Sequence, residues 1–512
     1  MGRKKSTIKN YIWSNVSTII SMVLNFINRT VLIKVLGTTF IGINSLFSNI
    51  LGVLSFAELG IGLAISYCLY EPLSNNNIPK IKAIVNFYKN AYRIVGLIIV
   101  IIGLLLIPFL PRLAKGAEGV ENLVLIFIIY IFNSASSYFF TYKSTVISAD
   151  QKNYLISNLY LVFNILCSVV QITVLILFKN YILYVGVLAL IGLIRNVYIN
   201  YYVGKKYPYL KGRNEYKLDD DTKKLIIVNV KGLIYHQIGT VAINQTDSII
   251  ISSFINVDTV GLVSNYTTII SMIKTFVSSL FSALLPSYGN IIATESREYQ
   301  FNVFNRISFI AYYLSCFTSV CLLFLSEPFI KIWLGNSYII EHHILILLVI
   351  NYYIIMTRQP LDVLSKAAGL FDKTKYSPIL ESIINLIASI WLVNYIGLFG
   401  VYVGTFLSSF VPLFYISVVG YKEVFKKNAA NYLISYFTKF AIVSIYMVIL
   451  HIFFSFINVE NNYLNLLFRL AVCLIVPNTI NYLVYRKTDE FRYFMTIIKK
   501  YGNKFKSILF KQ

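Results

Sequence analysis

The chain has 512 residues, 57% of them hydrophobic and 13% charged, with a mean hydropathy of +0.69. A soluble protein of this size carries about 25% charged residues, so a soluble enzyme or binding module is excluded and a polytopic membrane protein is expected. The formal charge of +23 is dispersed between apolar segments rather than gathered on one soluble surface, which argues against a nucleic-acid partner.

A bilayer core about 30 Å thick needs about 20 apolar residues per helix, and cutting the chain at its polar turns gives about fourteen such spans. The first six are expected near 10–36, 41–70, 92–110, 121–147, 154–178 and 182–203. The opening apolar segment, Tyr11 to Leu36, is too long for a signal-peptide core and reads as a retained helix. A polar stretch at 204–224 follows, then spans near 225–255, 259–286, 303–326, 337–361, 376–396 and 398–419. Two more at 431–457 and 463–485 precede a basic tail. With the N-terminus in the cytoplasm, 34 of the 45 Lys and Arg residues fall on the cytoplasmic side, 5 in outer loops and 6 within spans. That asymmetry is what the positive-inside rule demands, and it places both termini in the cytoplasm. The tail spaces Phe491, Phe494, Ile498, Tyr501, Phe505 and Ile508 helically among basic residues, which predicts a helix lying on the inner leaflet.

The chain repeats itself. Asn28-Arg29 through Gly42 to Phe47 reads like Asp247-Ser248 through Gly261 to Tyr266, a shift of 219 residues, and Ala149 matches Ala368 at the same shift. The shift spans six helices, an even number, so both copies point the same way through the membrane. The fold class is therefore all-α, with two six-helix bundles around a cavity and two extra C-terminal helices. Expected domains are a first bundle at 1–203, a cytoplasmic linker at 204–224, a second bundle at 225–420, the extra pair at 421–485 and the amphipathic tail at 486–512.

Polar residues recur every three or four positions in four spans: Ser14, Ser17, Ser21, Asn25 and Asn28 in the first, and Ser45, Ser48, Ser55 and Glu58 in the second. The seventh has Gln237, Thr240, Asn244 and Asp247, and the eighth runs from Ser264 to Ser282 with Lys274 beside it. Such stripes either line a wet cavity or hold helices together. Ionisable groups in hydrocarbon are costly unless paired or hydrated, so they mark functional sites. Arg29, Lys231 and Lys274 would make a cationic cavity suited to a diphosphate, with Arg able to grip phosphate oxygens bidentately. Arg29 could instead pair with Glu58. Glu58 and Asp247 could carry protons or sodium in a coupled cycle. The expected substrate-cavity residues are thus Asn25, Asn28, Arg29, Glu58, Lys231, Asn244, Asp247 and Lys274. The five cysteines lie in apolar segments without metal-ligand spacing, and neither a metal site nor a cofactor is expected.

Two blocks carry a resemblance: Arg29 to Gly37 with Phe40-Ile41-Gly42-Ile43-Asn44, and Glu58 to Ala64 closed by Leu69-Tyr70-Glu71-Pro72-Leu73. Together with Thr246 to Ile250 and Gly261 to Tyr266, they resemble the Wzx-type polysaccharide flippases of the multidrug, oligosaccharidyl-lipid and polysaccharide exporter superfamily. The resemblance implies two six-helix bundles in a V and transport of an undecaprenyl-diphosphate oligosaccharide to the outer leaflet by alternating access. It also supports roles for Arg29 and Asp247; the expected partners are the membrane and the lipid-linked oligosaccharide, and a polysaccharide polymerase or other assembly protein could join them. A cation-coupled drug antiporter of the same superfamily and a polytopic glycan polymerase are the competing readings. The antiporter should favour an acidic cavity, and the polymerase a sizeable extramembrane loop.

Overall fold

The computed structural model describes residues 3–58, 60–211, 216, 218–457 and 459–509. Among them are helices and turns and no strand, as expected where hydrocarbon offers backbone groups no other partner. In chain order the helices of the first half are α1 (Arg3–Leu36), α2 (Thr38–Leu54), α3 (Ile61–Ser74), α4 (Ile78–Leu106), α5 (Leu110–Leu113), α6 (Leu123–Phe140), α7 (Ser144–Ala149), α8 (Asn153–Phe178) and α9 (Tyr181–Lys206). Then come α10 (Asp220–Phe254), α11 (Val257–Thr294), α12 (Arg297–Trp333), α13 (His342–Thr357), α14 (Gln359–Ala367), α15 (Phe371–Thr374), α16 (Tyr376–Gly420), α17 (Ala430–Ser455), α18 (Asn462–Tyr485) and α19 (Asp489–Leu509).

Eleven segments among the described residues are long and apolar enough to cross a membrane. Of the three segments that separate this from fourteen, one lies in α10 (Asp220–Phe254), which is not among the eleven, and the other two have local causes. At 45 residues α16 would be about 68 Å long as one straight helix, twice the bilayer core. It reverses instead at Ile396 and Gly397, where Gly397 has φ 57°, a backbone region that glycine enters without steric cost. Asn385 then donates to Thr405 at 3.0 Å and Ser389 to the Val401 carbonyl at 3.0 Å. Partners that approach in sequence as they near the turn mark antiparallel legs, so one element supplies both the 376–396 and 398–419 segments. The segment expected at 41–70 is broken: Ser55–Glu58 forms a 3₁₀ turn, and the Ser55 hydroxyl bonds the Gly52 carbonyl at 2.6 Å. A serine that bonds local backbone in this way competes with the helical ladder. The break sets Glu58 between α2 and α3.

The chain forms two compact units, residues 1–264 and 265–512. In the first, Ser17 bonds the Ser157 carbonyl and Asn28 bonds Ser168, two pairs each 140 residues apart. A constant offset means that α1 and α8 run parallel. Likewise Asn196 to Ser136 and Asn200 to the Phe140 carbonyl, each 60 apart, make α6 and α9 parallel. One contact follows the 219-residue shift. A Cβ on Gly42 would fall 2.1 Å from the Val257 carbonyl oxygen, and one on Gly261 would fall 2.4 Å from the Thr38 carbonyl oxygen. Positions 42 and 261, like 38 and 257, are partners under the 219-residue shift, and Thr39 bonds Asp258 at 2.5 Å across that same shift. Exchanging the two copies maps the contact onto itself, the mark of a local two-fold relation.

In the second unit α18 runs antiparallel to α12, with the Tyr312 hydroxyl donating to Asn481 at 3.1 Å and Tyr313 bonding Asn478. The tail helix α19 packs on α12. Phe491 and Phe494 are buried against Phe309 and Tyr313 of α12, the Phe494 and Tyr313 ring centroids lying 4.6 Å apart. Ile498 is exposed, while the side chains of Tyr501, Phe505 and Ile508 lie outside the described residues.

Candidate substrate-binding site

The first unit separates residues that share one sequence stripe. Asn28 is buried and turned into α8, donating to Ser168 at 2.9 Å and to Gln171 at 3.4 Å. Ser17 and Ser21 of the same stripe meet Ser157 and Asn164 of α8. This part of the α1 stripe is a seam between helices, because a small polar group in an apolar medium gains most from bonding the adjacent helix. Spacing alone cannot tell that face from a wet one. Asn25 is exposed. Arg29, about 100° further round the helix than Asn28, leaves the seam, and its half-buried guanidinium donates to the Ser264 hydroxyl on α11.

Glu58 sits at the α2–α3 break and does not pair with Arg29. Its carboxylate accepts hydrogen bonds from Tyr92 of α4 and, at 3.0 Å, from Tyr138 of α6. Tyr88 packs against Tyr92 with ring centroids 4.1 Å apart and the rings tilted by 48°. Among the described residues the carboxylate makes no ion pair, so two phenolic donors stand where a cation was the alternative. Asp247 is half-buried on α10. Two residues before it, Gln245 lies against α2, 2.8 Å from where Gly52 would carry a Cβ. The side chains of Lys231 and Asn244 lie outside the described residues.

Lys274, on α11 in the second unit, belongs to a charge cluster. Arg358, at the α13–α14 joint, bonds Glu381 of α16 at 3.0 Å and lies 3.8 Å from Asp362 of α14. The side chains of Arg358 and Glu381 are only 14% and 6% exposed, which makes this a buried pair. Lys274 lies within electrostatic range of all three, so two cations face two carboxylates. Sequence reasoning assigned Arg358 to a basic loop and missed Asp362. The signal available was the i,i+4 spacing of Arg358 and Asp362 beside the intramembrane carboxylate Glu381. Among the described residues no three His, Cys, Asp or Glu side chains converge as metal ligands.

A family model of polysaccharide biosynthesis proteins matches residues 7–292, more than half of the chain. The chain belongs to that family. No curated protein matches it in sequence. Its structure is similar to an inward-facing multidrug resistance MATE transporter of the MOP superfamily, with TM-score 0.64, 13% identity and coverage of 80% of this chain and 98% of the other. It is also similar to the lipid II flippase MurJ in an inward closed conformation, with TM-score 0.63, 17% identity and coverage of 93% and 99%. A point mutant of the Vibrio cholerae MATE transporter VcmN matches with TM-score 0.57, 12% identity and coverage of 83% and 98%. This polysaccharide biosynthesis family member is thus a multi-pass membrane protein with the fold of MOP-superfamily transporters, and the proteins it resembles are transporters and flippases rather than enzymes.

Proposed function

We propose that this protein is a flippase that moves undecaprenyl-diphosphate-linked oligosaccharide repeat units from the inner to the outer leaflet, by alternating access, for cell-surface polysaccharide synthesis. The observation that carries the reading is membership of the polysaccharide biosynthesis family together with the extent of the structural match. The lipid II flippase covers 93% of the chain, whereas the two MATE transporters above cover 80% and 83%. The difference, about a tenth of the chain, is the size of α17 and α18, which have 26 and 24 residues. In this reading residues 1–203 and 225–420 form the two repeat bundles, 204–224 links them, and both termini are cytoplasmic. Arg29 supplies a guanidinium to the diphosphate, exchanging its bond to Ser264 for phosphate oxygens, since charge-assisted bidentate bonds are the stronger ones. Asp247, Lys231 and Lys274 tune the charge of the path, and Glu58 or Asp247 takes up the coupling proton or sodium ion. A polysaccharide polymerase is the expected downstream partner.

The test is the sidedness of lipid-linked glycan in cells depleted of the protein. After metabolic sugar labelling, complete repeat units should accumulate protected from an externally added glycosidase, with rescue by wild type but not by Arg29→Ala. Units that are externally accessible but unpolymerised would reassign the protein as a polymerase. An absent glycan phenotype would leave the drug antiporter.

A further inference from the structure

The second unit holds a cavity of about 760 Å³, within the range of small-molecule sites, whose inner wall includes Thr357, the residue next to Arg358. It opens where α12 begins, where α16 passes into α17 and where α18 bends into α19; in the orientation proposed above, that is the cytoplasmic end. Its wall is rich in tyrosine, including Tyr353 and Tyr432, and two lysines, Lys427 and Lys439, reach it.

Both ammonium groups rest on aromatic rings rather than on carboxylates. Lys427 lies 3.7 Å from the Phe301 centroid and Lys439 5.5 Å from the Tyr312 centroid, and neither forms an ion pair among the described residues. The nearby Glu423 is occupied by Lys373 at 2.7 Å and Lys426 at 4.0 Å. Glu490, the single acid in the lining, lies near Lys439 without pairing with it. Ser308, also in the lining, has a buried hydroxyl with no hydrogen-bond partner. Lys439 lies nine residues into α17, about 14 Å from its first turn, so the site has depth as well as a mouth.

Two cations without a salt bridge among the described residues, an orphan hydroxyl and phenols on aromatic walls describe a receptor for an anion that carries apolar bulk. The mouth adjoins the exposed apolar face of α17, with Ile434, Ile445 and Val448, and the first turns of α19, where Arg306 stacks on Tyr493 at 4.5 Å. Cations at such a level meet lipid headgroups. We infer that this cavity binds the phosphate headgroup of an anionic phospholipid of the adjacent leaflet, at a site separate from the transported substrate. Lys427 meets the phosphate at the mouth, Lys439 adds positive potential from deeper in the cavity, and the aromatic wall covers the glycerol and the start of the acyl chains. The inference needs the membrane setting but not the flippase reading.

The experiment uses the full-length protein in nanodiscs of phosphatidylcholine doped with spin-labelled phosphatidylglycerol or spin-labelled phosphatidylcholine, with the immobilised fraction read by electron paramagnetic resonance. Wild type should retain phosphatidylglycerol preferentially. Lys427→Gln and Lys439→Gln should each lower that preference about fivefold, the amount expected for one basic residue at a headgroup. Lys427→Gln lies in an exposed turn and tests the site without risk to packing, with monodispersity as the fold control. Equal retention of the two lipids by wild type, or an unchanged preference in Lys427→Gln and the double variant, would overturn the inference. So would full displacement by millimolar inorganic phosphate, which would make the site one for free phosphate.

Discussion

Loss of either partner from the Arg358–Glu381 pair should cost far more than loss of both. At 3.0 Å and an effective dielectric of 20 the pair attracts by about 5.5 kcal/mol, and the Asp362 carboxylate at 3.8 Å adds about 4.4 kcal/mol. Desolvation of the charges offsets much of this. The useful quantity is therefore the cost of breaking the pair, about 3–5 kcal/mol when one buried charge is left without its partner. Glu381→Leu leaves Arg358 and Lys274 facing Asp362 alone, a net charge of one in a buried cluster. Arg358→Met leaves Lys274 against two carboxylates. The double variant restores neutrality, with Lys274 and Asp362 remaining, and should be at least about 2 kcal/mol more stable than either single variant. In a unit of this size each kcal/mol shifts the unfolding midpoint by about 2–4 °C. Thermal unfolding of the purified protein in detergent should then show drops of roughly 10 °C for the singles and clearly less for the double. A double variant as unstable as the sum of the singles would refute the reasoning, since the two residues would then contribute independently.

Gly42→Val and Gly261→Val should each fail to form the two-fold contact, because the new Cβ would stand 2.1 Å or 2.4 Å from a backbone oxygen. Overpacking of this kind costs about 1–3 kcal/mol or more; equal losses of thermal stability at the two positions are expected, and an unaffected Gly261→Val would deny the symmetry. Tyr138→Phe removes one donor from the Glu58 carboxylate and should cost about 1.5–3 kcal/mol, as for a hydrogen bond to a charged group, with Glu58→Gln partly relieving it in the double variant. At the head of α10, Asp219 accepts from the Thr222 amide at 2.9 Å and its hydroxyl at 2.7 Å, and those bonds hold its carboxyl below the usual value of 3.8. With the folded value depressed, the cap's contribution is fully present above pH 3.8 and is lost as the pH falls through the lowered value. Asp219→Ala should cost about 1 kcal/mol and speed amide exchange in the first turn of α10 at neutral pH, and an unchanged exchange rate would show that the cap contributes nothing.

Much of the architecture is legible in sequence because the bilayer imposes it. Apolar length specifies the helices, and the duplication follows from a constant shift that the Gly42–Val257 and Gly261–Thr38 contacts repeat in space. The break at Glu58 and the reversal at Gly397 are harder to read, since both segments are apolar enough to pass through and only backbone conformation distinguishes them. Side-chain direction is the larger gap. Asn28 and Arg29 are neighbours in sequence, yet one is committed to α8 and the other reaches Ser264 on α11. Glu58 finds tyrosines from α4 and α6, residues some 34 and 80 positions away, and Arg358, set down as a loop cation, is buried between two carboxylates. Hydrophobicity is a sum over a segment and can be read one residue at a time. The partner of a buried polar group depends on which helices meet, and only the tertiary structure decides that.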